Sequence, residues 1–157
     1  MSGLKSLELA VDVATRKRDE ADKIWMQTRR AMQRGQEQLD QLKTYASDTE
    51  TRWATATATS ISAELMQHQR SFLQRLQQAI GMQGDAVADM QAQVEAARQR
   101  RLQEEVHLAA LEQLLKRRRD EQARLRARQE QKQTDELAAL RHSRGAAQRD
   151  PSIEEGR

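Results

Sequence analysis

The first sixty residues carry one pattern from end to end. Stepping 3, 4, 3, 4 from Leu4 reaches Leu7, Val11, Ala14, Arg18, Ala21, Trp25, Thr28, Met32, Gly35, Leu39, Leu42, Ala46, Thr49, Trp53 and Ala56. Most of these positions are apolar or small, and the phase does not slip. A period of 3.5 residues is that of a coiled-coil seam, since a straight lone helix drifts out of it. Arg18, Thr28 and Gly35 weaken the seam without breaking its phase. A second run starts at Leu73 and steps through Leu76, Ile80, Gln83, Val87, Met90, Val94, Ala97, Arg101, Glu104, Leu108, Leu111, Leu115, Arg118, Gln122 and Leu125. After Leu125 the same steps land on Gln129, Lys132 and Glu136, so the partner surface ends there.

Between the runs, Ala54-Thr-Ala-Thr-Ala-Thr-Ser-Ile-Ser62 alternates small with hydroxylated residues, poor helix interiors but natural caps. The reversal is expected at about 55–61. The competing breaker, Gly81-Met-Gln-Gly84, lies inside an unbroken register, so both glycines read as local losses of about 1 kcal/mol within one helix. The fold class expected is all-α: a long antiparallel two-helix coiled-coil hairpin, helix 1 over about 4–56 and helix 2 over about 62–143. With the apex near 58, facing residue numbers sum to roughly 117, which puts Tyr45 opposite Phe72 and Leu4 near residue 113. Beyond about 115 no first helix remains to bury against, so a polar helical arm of about 40 Å should project. Residues 1–143 form one unit on this reading, and 144–157, with Gly145, Pro151 and Gly156, form a disordered tail.

Composition agrees. Of 157 residues, 32% are charged and only 3% are aromatic, too few for a thick layered interior. There is no cysteine, hence no disulfide framework or thiolate metal site. The start has no signal-peptide pattern, and no apolar run is long enough to span a membrane. The three histidines, His68, His107 and His142, share no ligand spacing, and no phosphate-cradling glycine motif stands between a strand and a helix. Neither enzyme activity, a metal nor a cofactor is expected.

Net charge is a mild +3, but its distribution is uneven. Lys116, Arg117, Arg118, Arg119, Arg124, Arg126 and Arg128 crowd one segment against Asp120 and Glu121. That segment can be a solvated face laced by i,i+4 pairs, a phosphate-binding stripe, or a dock for an acidic protein surface. No aromatic and no readout module accompanies it, which speaks against nucleic acid. A second feature is a strip near the apex. Gln38, Leu42, Tyr45 and Thr49 on helix 1 share the spacing i, i+4, i+7, i+11 with Phe72, Leu76, Ala79 and Gln83 on helix 2. It either roofs the local seam or forms a protein-recognition patch.

Three segments resemble the flagellar export protein FliJ family: Gln38-Leu-Asp-Gln-Leu-Lys-Thr-Tyr45; Phe72-Leu-Gln-Arg-Leu-Gln-Gln-Ala-Ile80 with Gln83; and Ala110-Leu-Glu-Gln-Leu-Leu, the basic run and Glu130-Gln-Lys-Gln-Thr-Asp-Glu136. The resemblance covers roughly residues 4–140. It implies a non-enzymatic, cytoplasmic part of the flagellar type III export apparatus, peripherally associated with the inner membrane, folded like the stalk of F-type ATPases. It further implies partners: the hexameric export ATPase FliI, the export-gate protein FlhA, and export chaperones. Gate contact maps onto Gln38, Leu42, Tyr45, Phe72, Leu76 and Ala79, extended by Thr49 and Gln83, where the family often carries an aromatic or a histidine. ATPase contact maps onto Arg117, Arg118, Arg124, Gln131 and Asp135. The free chain is expected to be a monomer. A stalk from a virulence-type secretion system and a general coiled-coil scaffold are the alternatives.

Overall fold

The computed structural model describes residues 2–56 and 62–149, and the rest of the chain is outside the description. Two helices make up the described chain: α1, Ser2–Ala56, and α2, Ala63–Gln148. They pack against each other as a helical hairpin. α2 begins on a cap. Ser62 is non-helical, its Oγ accepts the Leu65 N–H at 3.3 Å, and its carbonyl accepts the Met66 N–H at 3.1 Å. Glu64 sits in the first turn, where the unpaired N–H groups favour a negative charge. Gly81 and Gly84 lie inside α2, as the unbroken register requires.

Two boundaries differ from expectation. The reversal expected at 55–61 finds Thr55 and Ala56 helical, and its remainder falls outside the described residues. The tail expected from 144 onward is helical through Gln148, because Arg144, Ala146, Ala147 and Gln148 are good helix formers that outweigh Gly145. Arg149 then closes the last turn, its N–H shared between the carbonyls of Gly145 at 3.1 Å and Ala146 at 3.2 Å. Residues 150–157 are outside the described residues.

The chain divides into two compact units. In the unit Asp12–Leu108, the buried seam is Ala14, Ala21, Gly35, Leu39, Ala46 and Thr49 against Leu76, Val87, Ala97 and Leu108. Small residues on α1 let the backbones approach closely. Gly35 is the tightest point: a Cβ there would stand 2.8 Å from Met90 Sδ and 3.5 Å from Val87 Cγ2. No described side chain is completely sealed, as befits a single seam with solvent on both flanks. In the unit Met1–Val11 with Ala109–Arg157, Leu4, Leu7 and Val11 are half-buried, as is Leu111, and Leu115 is buried. From residue 123 through 144 every side chain is exposed, the loss of seam expected of an unpaired arm.

The register differs from the expected one. Tyr45 does face Phe72, but Gly35 contacts Val87, Asp22 contacts Arg101 and Glu8 contacts Arg119. Facing numbers therefore sum to 122–123 at Gly35 and Asp22 and to 127 at Glu8, for two reasons. α1 ends at Ala56 and α2 begins at Ala63, so the midpoint between the helices lies beyond the 58 expected. Side chains also lean toward the N-terminus of their own helix, so each meets a partner about one residue further along.

Candidate functional site

The strip read from the sequence lies wholly in the unit Asp12–Leu108, and the structure sorts its members by depth. Gln38 and Tyr45 are exposed, Tyr45 at 49%. Leu42, Phe72, Ala79 and Gln83 are half-buried. Thr49 and Leu76 are buried at 6% and 9%, so they support the strip from within the seam. Tyr45 and Phe72 meet edge-to-face, ring centroids 6.3 Å apart, and Trp53 packs on the same Phe72 at 5.8 Å. Such contacts hold the rings in fixed orientation. At the other end Gln83 Nε2 donates to the Gly35 carbonyl at 3.0 Å and to Gln38 Oε1 at 3.3 Å. The shifted register thus gives Gln38 the partner Gln83, four residues beyond Ala79, which a sum of 117 sets opposite it. The result is a surface with a fixed aromatic centre and an amide edge, built from both helices.

Trp53 is an addition that spacing alone assigned to the seam. A second cluster went unrecognised. Trp25 and Arg101 both sit at seam positions, and the Arg101 guanidinium lies 4.5 Å from the Trp25 ring centroid. The Arg29 guanidinium lies 4.6 Å from the same ring. Arg101 Nε stands 2.9 Å from Asp22 Oδ1 and 3.4 Å from Glu105 Oε1. These are ionic contacts without hydrogen-bond alignment, and the Trp25 indole N–H is buried without an acceptor. The signal for this cluster was an arginine recurring in the seam phase, but its partner depended on the register.

The other candidate group lies in the unit Met1–Val11 with Ala109–Arg157. Arg117, Arg118, Arg124, Gln131 and Asp135 are all exposed. Gln131 Nε2 donates to Asp135 Oδ1 at 3.2 Å, an i,i+4 pair that keeps both on one face. Arg119 is held by Glu8 at 3.0 Å, so α1 still reaches the first part of the basic run. Arg117, Arg118 and Arg124 thus present their cationic side chains to solvent. Among the described residues no group of three or more His, Cys, Asp or Glu is placed to hold a metal ion. Among them, too, no helix is long and apolar enough to cross a membrane.

No curated protein and no solved structure matches the chain. The family model described as "Flagellar FliJ protein" matches residues 4–147, a span that takes in the aromatic strip, the basic run and the helical seam joining their sequences. The chain belongs to the FliJ family, whose members are non-enzymatic coiled-coil components of flagellar protein export.

Proposed function

We propose that this chain is the stalk and adaptor of a flagellar type III export apparatus, joining the export ATPase to the membrane gate. The observation that carries the reading is the family match over residues 4–147, which includes both candidate surfaces. The exposed arm around Arg117, Arg118 and Arg124, with Gln131 and Asp135, enters the opening of the FliI hexamer. Dense positive charge on an exposed helix favours encounter with an acidic lining and sets orientation through charge complementarity. The surface of Gln38, Tyr45, Phe72, Ala79 and Gln83, supported by Leu42, Thr49 and Leu76, binds the gate protein FlhA. An orientationally fixed aromatic pair beside amides is the composition of an interface centre. The chain also receives export chaperones and works on the cytoplasmic side of the inner membrane at the flagellar base.

The protein supplies no bond-making chemistry. It raises ATPase activity by binding the assembled or productive state of the ring better than the others, and it can shift that equilibrium only by this difference in affinity. The test is co-purification with the export ATPase while nucleotide turnover is recorded. Binding and stimulated turnover, both lost on changing Arg117, Arg118 and Arg124 to glutamate at unchanged helicity, are expected. A well-folded wild-type chain that fails to bind at low salt would overturn the reading.

A further inference from the structure

The seam of the unit Asp12–Leu108 is built largely of alanines and of aliphatics that recur every heptad. Alanine and aliphatic layers of this kind carry little register information of their own. The connecting sequence adds little, since residues 54–62 contain neither glycine nor proline to define a turn type. Something in the seam must therefore select one register: Gln83 contributes through its bonds to Gly35 and Gln38, and a charged layer lies farther from the apex. Arg101 occupies a seam position in α2. It lies over the Trp25 ring at 4.5 Å and beside Asp22 at 2.9 Å, with Glu105 of its own helix at 3.4 Å.

We propose that Arg101, together with Trp25 and Asp22, fixes the register in which α1 and α2 pair. A charged residue in an apolar seam specifies register when one alignment gives it a counter-charge from the facing helix and the others do not. The sequence of α1 allows this to be checked position by position. Slid seven residues one way, Arg101 meets Arg18 in place of Trp25 and Thr15 in place of Asp22. Slid seven residues the other way, it meets Met32 and Arg29. Neither alternative supplies a ring, and the place Asp22 holds beside Arg101 passes to Thr15 or to Arg29. Parallel pairing of α2 with a second α2 would set Arg101 against Arg101. The native alignment is the one that offers both a π-face and an anion. The consequence reaches the surface. Tyr45 and Phe72 come from different helices, as do Gln38 and Gln83, so a slip would pull apart both pairs whatever partner they serve.

Because the chain has no cysteine, spin labels can be placed at will. Ser47 and Gln74 are exposed and stand on opposite helices, well away from the layer. Labels on Ser47→Cys and Gln74→Cys in the full chain should give one narrow distance by pulsed electron resonance. Arg101→Met keeps length and helix propensity but removes the charge. It should retain helicity and melting temperature while adding a second distance population, displaced along the axis by about 10 Å, one heptad. Arg101→Glu meets Asp22 and Glu105 in the native register but Arg18 or Arg29 in the slipped ones, so it should shift the main population. A single wild-type distance in both variants would overturn the proposal. Arg101→Lys, which keeps a cation over Trp25, should restore the single distance, and failure to do so in a folded chain would also count against it.

Discussion

Three of the helical glycines, Gly35, Gly81 and Gly84, turn one substitution into two different experiments. In an open helix position Gly→Ala stabilises by about 1 kcal/mol, because glycine loses more backbone freedom on folding. A Cβ on Gly81 or Gly84 would have nothing within 4 Å, so nothing offsets that gain. Each change should raise stability by about 1 kcal/mol, or about 2–4 °C in melting temperature for a chain of this size. Gly35 is in the same kind of helix with the same propensity, yet its Cβ would stand 2.8 Å from Met90 Sδ, with Met90 Cε and Val87 Cγ2 both at 3.5 Å. Overpacking of a seam costs about 1–3 kcal/mol. The obstructing atoms are the far end of a flexible thioether, which puts the cost at the low end. Gly35→Ala should therefore leave stability nearly unchanged, without the gain of about 1 kcal/mol expected at Gly81.

Urea denaturation followed by circular dichroism reads all three values on one scale, and the double variant Gly35→Ala, Met90→Ala isolates the cause. If crowding by the thioether is responsible, Gly35→Ala should be better tolerated in the Met90→Ala background, a coupling that a propensity effect cannot produce. A Gly35→Ala midpoint raised as far as that of Gly81→Ala would refute the close approach. The same contact also bears on the Gln83 hydrogen bond to the Gly35 carbonyl, which a displaced helix would lengthen.

Truncating Leu108 or Leu115, both buried, to alanine should cost about 2–4 kcal/mol, whereas Leu125→Ala, at 57% exposure, should change stability by less than about 0.5 kcal/mol by the same denaturation assay. A double-mutant cycle on Glu8 and Arg119, whose side chains are 44% and 56% exposed, should give a coupling of about 0.2–1 kcal/mol that fades with added salt. Tyr45→Ala should weaken gate binding by well over tenfold while lowering the melting temperature little, since half of Tyr45 already faces solvent; a large stability loss with intact gate binding would make the ring a roof for the seam.

The helices were legible because a 3.5-residue phase is a long-range signal, repeated often enough that Arg18, Thr28 or Gly35 could not erase it. Every seam position from Leu4 to Trp53 is buried or half-buried in the structure, and α2 passes through Gly81 and Gly84 as its phase requires. The pairing of the helices was less legible, because apolar heptads carry almost no information about which layer meets which. An apex placed near 58 gave Tyr45 its partner Phe72, but the accumulated offset of roughly five residues hid Arg101 from Trp25 and Asp22. Thr49 holds a place both in the seam phase and in the strip's spacing, and the seam claims it, burying it to 6% exposure.

The low register information of apolar heptads has a functional counterpart. A single seam uses its a and d side chains for folding, so recognition must be assembled from flanking positions and from helix that has no partner. The flank carrying Tyr45 and Phe72 is composite, and its geometry is only as defined as the register beneath it. The exposed basic segment around Arg124 belongs to one helix alone, so its spacing is set by helical geometry and survives any slip. The two surfaces should therefore respond differently to Arg101→Met in the same protein. Gate binding should fall in proportion to the slipped population, while ATPase binding should keep its wild-type affinity. Equal losses at both would mean that the variant acts through global destabilisation. Unchanged gate binding alongside a demonstrated slip would mean that the gate reads one helix of the strip and not the pair.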